Sequence, residues 1–248
     1  MVGIEEFADG RVDLWIPLVP GARASAGTGE PLAQGQAALT AFADWLEQHG
    51  LPAPPALVLD TVQHRAATRA GDHWLNATFD DDAVPVDSDE FFAVLSWLAA
   101  SRADLLSALA DLDDAALNRR PPEGRSIREI LDHLANAEAW YASRLDPREA
   151  GGEVIHYRAG APSLERLAAI RDDVESFLRQ RFGDLARARS TPQGETWTLR
   201  KVLRRQVAHE RWHTAQIERL ARQIAAAAWF EGQGPDEGPA GRSRDRGG

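Results

Sequence analysis

The chain has 248 residues, 38 acidic and 28 basic side chains, a formal net charge of −10 and no cysteine. The missing cysteine excludes disulfides, thiolate metal ligands and a cysteine nucleophile, so any metal must be held by His, Asp or Glu. The acidic balance argues against a nucleic-acid surface, no run of 18 apolar residues predicts a transmembrane helix, and the acidic start MVGIEEFADG lacks a secretory pattern, which makes the cytoplasm the expected location.

Charge is unevenly spread. Residues 1–90 hold 15 acids and 4 arginines, whereas residues 91–248 hold 23 acids and 24 bases. This break predicts a small acidic unit over 1–85 and a second unit over 90–228. The segment from Asp80 to Glu90 reads as a solvated acidic hinge, and the Gly/Pro-rich stretch 229–248 as a disordered tail with too little apolar surface to offset ordering. In the first unit Val12–Val19 is a predicted strand and Gly21–Gly29 a turn. A helix is predicted over Pro31–His49, with Leu39, Phe42 and Leu46 on one stripe and Gly50 as its C-cap. Two more strands are predicted over Ala56–Thr68 and Trp74–Phe79. This β-α-β-β order, with Val19-Pro20-Gly21 ahead of an Ala-rich helix, resembles HicB-type antitoxin domains over part of the unit. His49, His64 and His73 lack ligand spacing and read as surface or strand residues.

The second unit shows four amphipathic helices, over Phe91–Leu112, Ile127–Leu145, Leu164–Phe182 and Leu199–Ala228. Ser126 and Glu129 form a capping-box signature, Ser163 and Gly183 mark the ends of the third helix, and Thr198 caps the fourth. Four striped helices without intervening strands predict a four-helix bundle, so the fold class is α+β, a small N-terminal α/β unit followed by a bundle. Arg125-Ser126-Ile127-Arg128-Glu129-Ile130-Leu131 repeats as Trp197-Thr198-Leu199-Arg200-Lys201-Val202-Leu203 at an offset of 72, which also pairs Glu138 with Glu210 and Trp140 with Trp212.

The histidines carry the functional reading. His209 and His213 stand at i and i+4, on one face of the fourth helix. Val202, Gln206, His209, His213, Gln216 and Leu220 form one stripe, apolar at its ends and polar in the middle. A core-facing stripe of that kind buries two imidazoles and two amides, which costs a few kcal/mol each without partners. His133, on the inner side of the second helix with Ile130, Leu134, Ala137 and Tyr141, is the third candidate. Three neutral nitrogens from two helices suit Zn²⁺, Ni²⁺ or Fe²⁺ and leave a coordination position open. Taken alone His133 reads as a hydrogen-bonded core histidine, but opposite a His-x-x-x-His helix it reads as the third ligand; His156 is a weaker fourth candidate, read as solvent-exposed.

The stretch Arg125–Tyr141 resembles the second helix of DinB/YfiT-like proteins, and Val207–Ile217 their His-x-x-x-His helix, with the likeness running over about residues 90–227. The resemblance implies a DinB-like four-helix bundle with a divalent metal on His133, His209 and His213. It implies a homodimer and thiol-dependent transfer or isomerisation with bacillithiol or mycothiol. Arg125 departs from the family, which often has Trp there, and is expected to pack the bundle edge.

The expected chemistry is a low-molecular-weight thiol, activated at the metal as a thiolate, attacking an electrophile in the bundle mouth. Gln216 is assigned to ligand binding or to orienting a ligand side chain. Glu129 is read as a cap, Trp212 and Tyr141 as core, and Arg204 and Arg205 as solvated. The partners expected are a small thiol and an electrophile, with no nucleic acid and no membrane. Whether the chain is an enzyme stays open, the alternative being a non-catalytic metal-binding stress-response or interaction protein.

Overall fold

The computed structural model describes residues 1–54, 56–70, 73–145, 162–191 and 194–232. Strands β1 (Val2–Glu6), β2 (Val12–Trp15) and β3 (Arg23–Ser25) precede helix α1 (Pro31–Gln48), and β4 (Val62–Ala66) follows it. The sheet order is β3-β2-β1-β4, with β1 antiparallel to β2 and parallel to β4. A short hairpin, β5 (Thr68–Ala70) and β6 (His73–Leu75), leads to a 3₁₀ turn at Asp80–Ala83. Helices α2 (Ser88–Leu109), α3 (Asp114–Asn118), α4 (Ile127–Ser143), α5 (Ser163–Leu185) and α6 (Leu199–Gly232) make up the rest, with a two-residue ladder between β7 (Arg189–Ser190) and β8 (Trp197–Thr198).

The α+β class and the helical bundle are as expected, and several boundaries differ. The expected β-α-β-β order is β-β-β-α-β-β-β, because β1, β3 and the separate β5 were not anticipated. β2 stops at Trp15 since Pro17 cannot donate to a ladder. Residues 16–22 turn back instead, with Ile16 N–H donating to Ala22 O at 3.1 Å. Gly21 sits there at φ 105°, where an added Cβ would fall 2.6 Å from Phe42 and 2.7 Å from Val207, so only glycine fits between α1 and α6. Gly50 takes φ 64° after α1, as its predicted cap role requires.

In the bundle, Ser126 and Glu129 form the reciprocal capping box at the start of α4, and Thr198 Oγ1 accepts from Lys201 N at 3.1 Å at the start of α6. Asp87, within the expected hinge, caps α2 by accepting from Glu90 N at 2.9 Å. Ser163 lies inside α5, behind Pro162, and Gly183 is inside the same helix rather than its stop. α6 runs to Gly232, so the predicted tail begins as helix, and its remainder lies outside the described residues. By length and composition alone α2 is long and apolar enough to cross a membrane, a test that a core helix also passes. Its Phe91, Val94, Leu95, Leu98 and Leu105 are buried in the common core.

That core is continuous. Val2, Ile4, Leu14 and Phe42 of the N-terminal unit belong to the same cluster as Leu98, Ile130, Val174 and Val207 of the bundle. Buried charge ties the parts together. Arg204 and Asp82 are 1% and 0% exposed and form a two-pronged pair at 2.7 and 2.8 Å. Arg205 meets Glu5 of β1 at 2.7 Å, Arg200 meets Glu90 at 2.7 Å, and Lys201 meets Glu195 at 2.8 Å. The expected solvated hinge therefore contains a fully buried aspartate, and Arg204 and Arg205 are buried rather than solvated, because each guanidinium finds a carboxylate brought to it by the sheet side.

The 72-residue repeat has a structural meaning. Glu138 and Glu210 both face Arg102 of α2 and Arg171 of α5. Arg102 contacts Glu138 at 2.9 Å and Glu210 at 2.7 Å, and Arg171 contacts both glutamates. Each of the four helices gives one charge to a closed cluster, whose two cations also donate to Leu167 O and Leu98 O.

Removing one member of a buried pair strands the other charge. Asp82→Ala is expected to lower the unfolding free energy by ~3–5 kcal/mol in chemical denaturation. Arg204→Ala should do the same, and the double variant should lose less than the sum.

Candidate metal centre

α4 places His133 and α6 places His209 and His213 across the same gap. The three ring centroids are 5.0, 5.0 and 4.6 Å apart. One ligating nitrogen from each ring lies within 4.8 Å of the others. His133 Nε2 and His209 Nε2 are 3.2 Å apart. Nitrogens each ~2.1 Å from one tetrahedral ion stand roughly 3.4 Å apart, so this pair already has the spacing of two ligands.

Gln216 Oε1 accepts from His213 Nδ1 at 2.8 Å. An amide oxygen only accepts, so Nδ1 carries the proton and Nε2 keeps a lone pair. That Nε2 is buried and has no hydrogen-bond partner. A buried polar atom without a partner calls for an explanation, and a cation between the rings supplies one. The donor set fits a divalent ion, and Gln216 is hydrogen-bonded to one of its three histidines.

The electrostatics agree. Burial holds all three imidazoles below the ordinary 6.5: His209 well below, with His213 and His133 adding to the effect, and His213 down to about 4. His133 is lowered by burial and then by Arg125. Rings that stay neutral keep their lone pairs for a metal at neutral pH.

The cluster opens into a cavity of ≈ 600 Å³ lined on one side by Tyr141, Trp212 and Gln216 and on the other by Phe7, Arg11, Trp15 and Arg23 of the N-terminal unit. Trp212, expected in the core, is 42% exposed and forms a wall; Tyr141 is buried, as expected, and also lines the cavity. Arg125 lines it too, instead of packing the bundle edge. Glu129 caps α4 and does not reach His133. His49 pairs with Asp104 and His64 with Glu6. His156 lies outside the described residues, as does the side chain of His73.

The family profile of the DinB superfamily matches residues 98–217, a span that contains all three histidines. Over those residues the bundle is similar to the DinB superfamily. No curated protein matches the chain. The DinB match stops short of the sheet, whose contribution to the cavity had no signal in the sequence, since Phe7, Arg11 and Arg23 meet the histidines only through folding.

For a histidine whose pKa is lowered on folding, the unfolded chain binds the extra proton first. Stability is then full above pH 6.5 and is lost as pH falls toward the folded value. Metal-free protein should lose ~1.4 kcal/mol per pH unit for each such ring, beginning below 6.5. His49, raised by its bond to the Trp45 carbonyl and by Asp104, acts in the opposite sense. Thermal melts of His213→Gln beside the parent isolate the effect, and the variant should show the shallower slope.

Proposed function

We propose that the chain is a metal-dependent DinB-like transferase, in which His133, His209 and His213 hold one divalent cation and a low-molecular-weight thiol is the nucleophile. The observation that carries this reading is the buried, partnerless Nε2 of His213 on the floor of an open cavity beside two more imidazoles. A divalent ion held there stabilises the conjugate base of a thiol or water next to it. Zn²⁺, Ni²⁺ and Fe²⁺ all suit neutral imidazoles, and bacillithiol or mycothiol are the thiols that the resemblance suggests.

The protein's own groups prepare the site. Gln216 fixes the tautomer and tilt of His213. Burial keeps the three rings unprotonated. Tyr141 and Trp212 give the cavity walls against which an electrophile can be held near the histidines. A homodimer, a cytoplasmic setting and the absence of nucleic-acid or membrane partners belong to the same proposal. The HicB-like reading of the N-terminal unit rests on its Val19-Pro20-Gly21 turn ahead of an Ala-rich helix.

Protein purified without a polyhistidine tag should contain a divalent metal by elemental analysis. His209→Ala should release it and melt at lower temperature; full metal content in that variant would refute the ligand assignment. Gln216→Ala should retain the site but bind metal ~10–100-fold more weakly in chelator competition. Loaded protein should consume a chloro-dinitroarene or maleylpyruvate with one of several thiols. Metal retention with no thiol-dependent turnover would favour the non-catalytic alternative.

A further inference from the structure

The cavity has two chemically different ends. One end is the imidazole cluster. The other is built where the N-terminal sheet meets α6, and there Arg23 of β3 and Arg205 of α6 lie over the ring of Trp15, their guanidinium carbons 5.2 and 4.4 Å from its centroid. Each has a carboxylate partner, Asp13 for Arg23 and Glu5 for Arg205, both at 2.7 Å. Each also keeps a buried Nε with no hydrogen-bond acceptor, and Arg205 is only 6% exposed. Arg11 and Arg125 line the same cavity and are exposed, with no carboxylate at salt-bridge distance among the described residues.

The charges do not cancel. Four guanidinium groups face Asp9 and Asp13 along the wall, with Glu5 behind Arg205. A chain of net charge −10 thus concentrates positive charge in this cavity. Low-dielectric walls focus such a field and favour an anion. Guanidinium donors match the geometry of carboxylate and phosphate, and the ≈ 600 Å³ volume is that of a small-molecule site.

We propose that the N-terminal sheet and the imidazole cluster are the two ends of one binding site for a small molecule bearing an oxyanion, carboxylate or phosphate, which Arg23 and Arg205 receive at the inner wall and Arg11 and Arg125 attract at the mouth. Arg11 and Arg23 then contribute to ligand selection from a region outside the DinB match, beside Arg125 and Arg205 from within it. Only the metal end of this assignment rests on the function proposed above.

Calorimetric titration of the full-length, zinc-loaded protein with succinate, inorganic phosphate and neutral glycerol tests it. At least one anion is expected to bind and glycerol is not, with succinate against phosphate separating the two oxyanion types. Binding should weaken as sodium chloride is raised. Arg11→Ala and Arg125→Ala, both exposed positions, should each weaken it by about tenfold with unchanged metal content. Arg23→Lys, which keeps the charge but loses the fork, should weaken it as well. The proposal is overturned if neither anion binds, or if the arginine variants bind as the parent does. Elemental analysis reads the metal assignment separately. If the parent holds no metal, the same titration on metal-free protein still decides the anion site.

Discussion

Four cations in the first two turns of α6 set the architecture. Arg200, Lys201, Arg204 and Arg205 are all buried, and a buried charge without a partner costs several kcal/mol. Their partners come from four separate places: Glu90 on α2, Glu195 before β8, Asp82 in the 3₁₀ turn and Glu5 on β1. α6 can therefore be buried only where those four segments have already converged. The charge imbalance along the chain follows from the same requirement. Part of the acidic excess in residues 1–90 is the counter-charge of a basic helix near the far end.

A second layer of charge lies further along α6. Glu210, with Glu138, Arg102 and Arg171, locks the four bundle helices to one another. His209 and His213 flank that lock in sequence, so their helix is fixed in both position and rotation. His133 lies on α4, four residues before Ala137 and five before Glu138, a little over one helical turn. The same constraint that satisfies the glutamates thus aims three imidazoles into one gap. The glutamates and arginines are joined to one another by ion pairs, and in the neighbouring layer His213 Nε2 has no hydrogen-bond partner. A ring nitrogen with a free lone pair, buried beside two more imidazoles, is the kind of group a cation would satisfy.

The bundle was largely legible in the sequence because its signals are local. Ser126 with Glu129, Thr198 before α6, Gly50 after α1 and the i, i+4 histidines each act within one or two helical turns. β1 was not legible. Its Glu5 and Glu6 break the expected alternation, and Glu5 is a core residue only because Arg205, 200 positions away, neutralises it. Asp82 looked like part of a solvated acidic run for the same reason. Trp212 looked like core from its place beside the histidines, yet it borders an open cavity whose opposite wall belongs to the sheet.

Residue types and their local spacing determined that His209 and His213 share a face and that α4 begins at a capping box, and the lack of cysteine determined that any metal must rely on imidazole or carboxylate ligands. Hydrogen bonds and side-chain spacing within a few residues fix those features, whatever the rest of the chain does. Tertiary structure alone decided that His133 faces that pair, that the arginines of α6 are buried, and that Arg11 and Arg23 complete the cavity. Those outcomes depend on which distant group compensates each desolvated charge, and that information exists only once the segments are packed together.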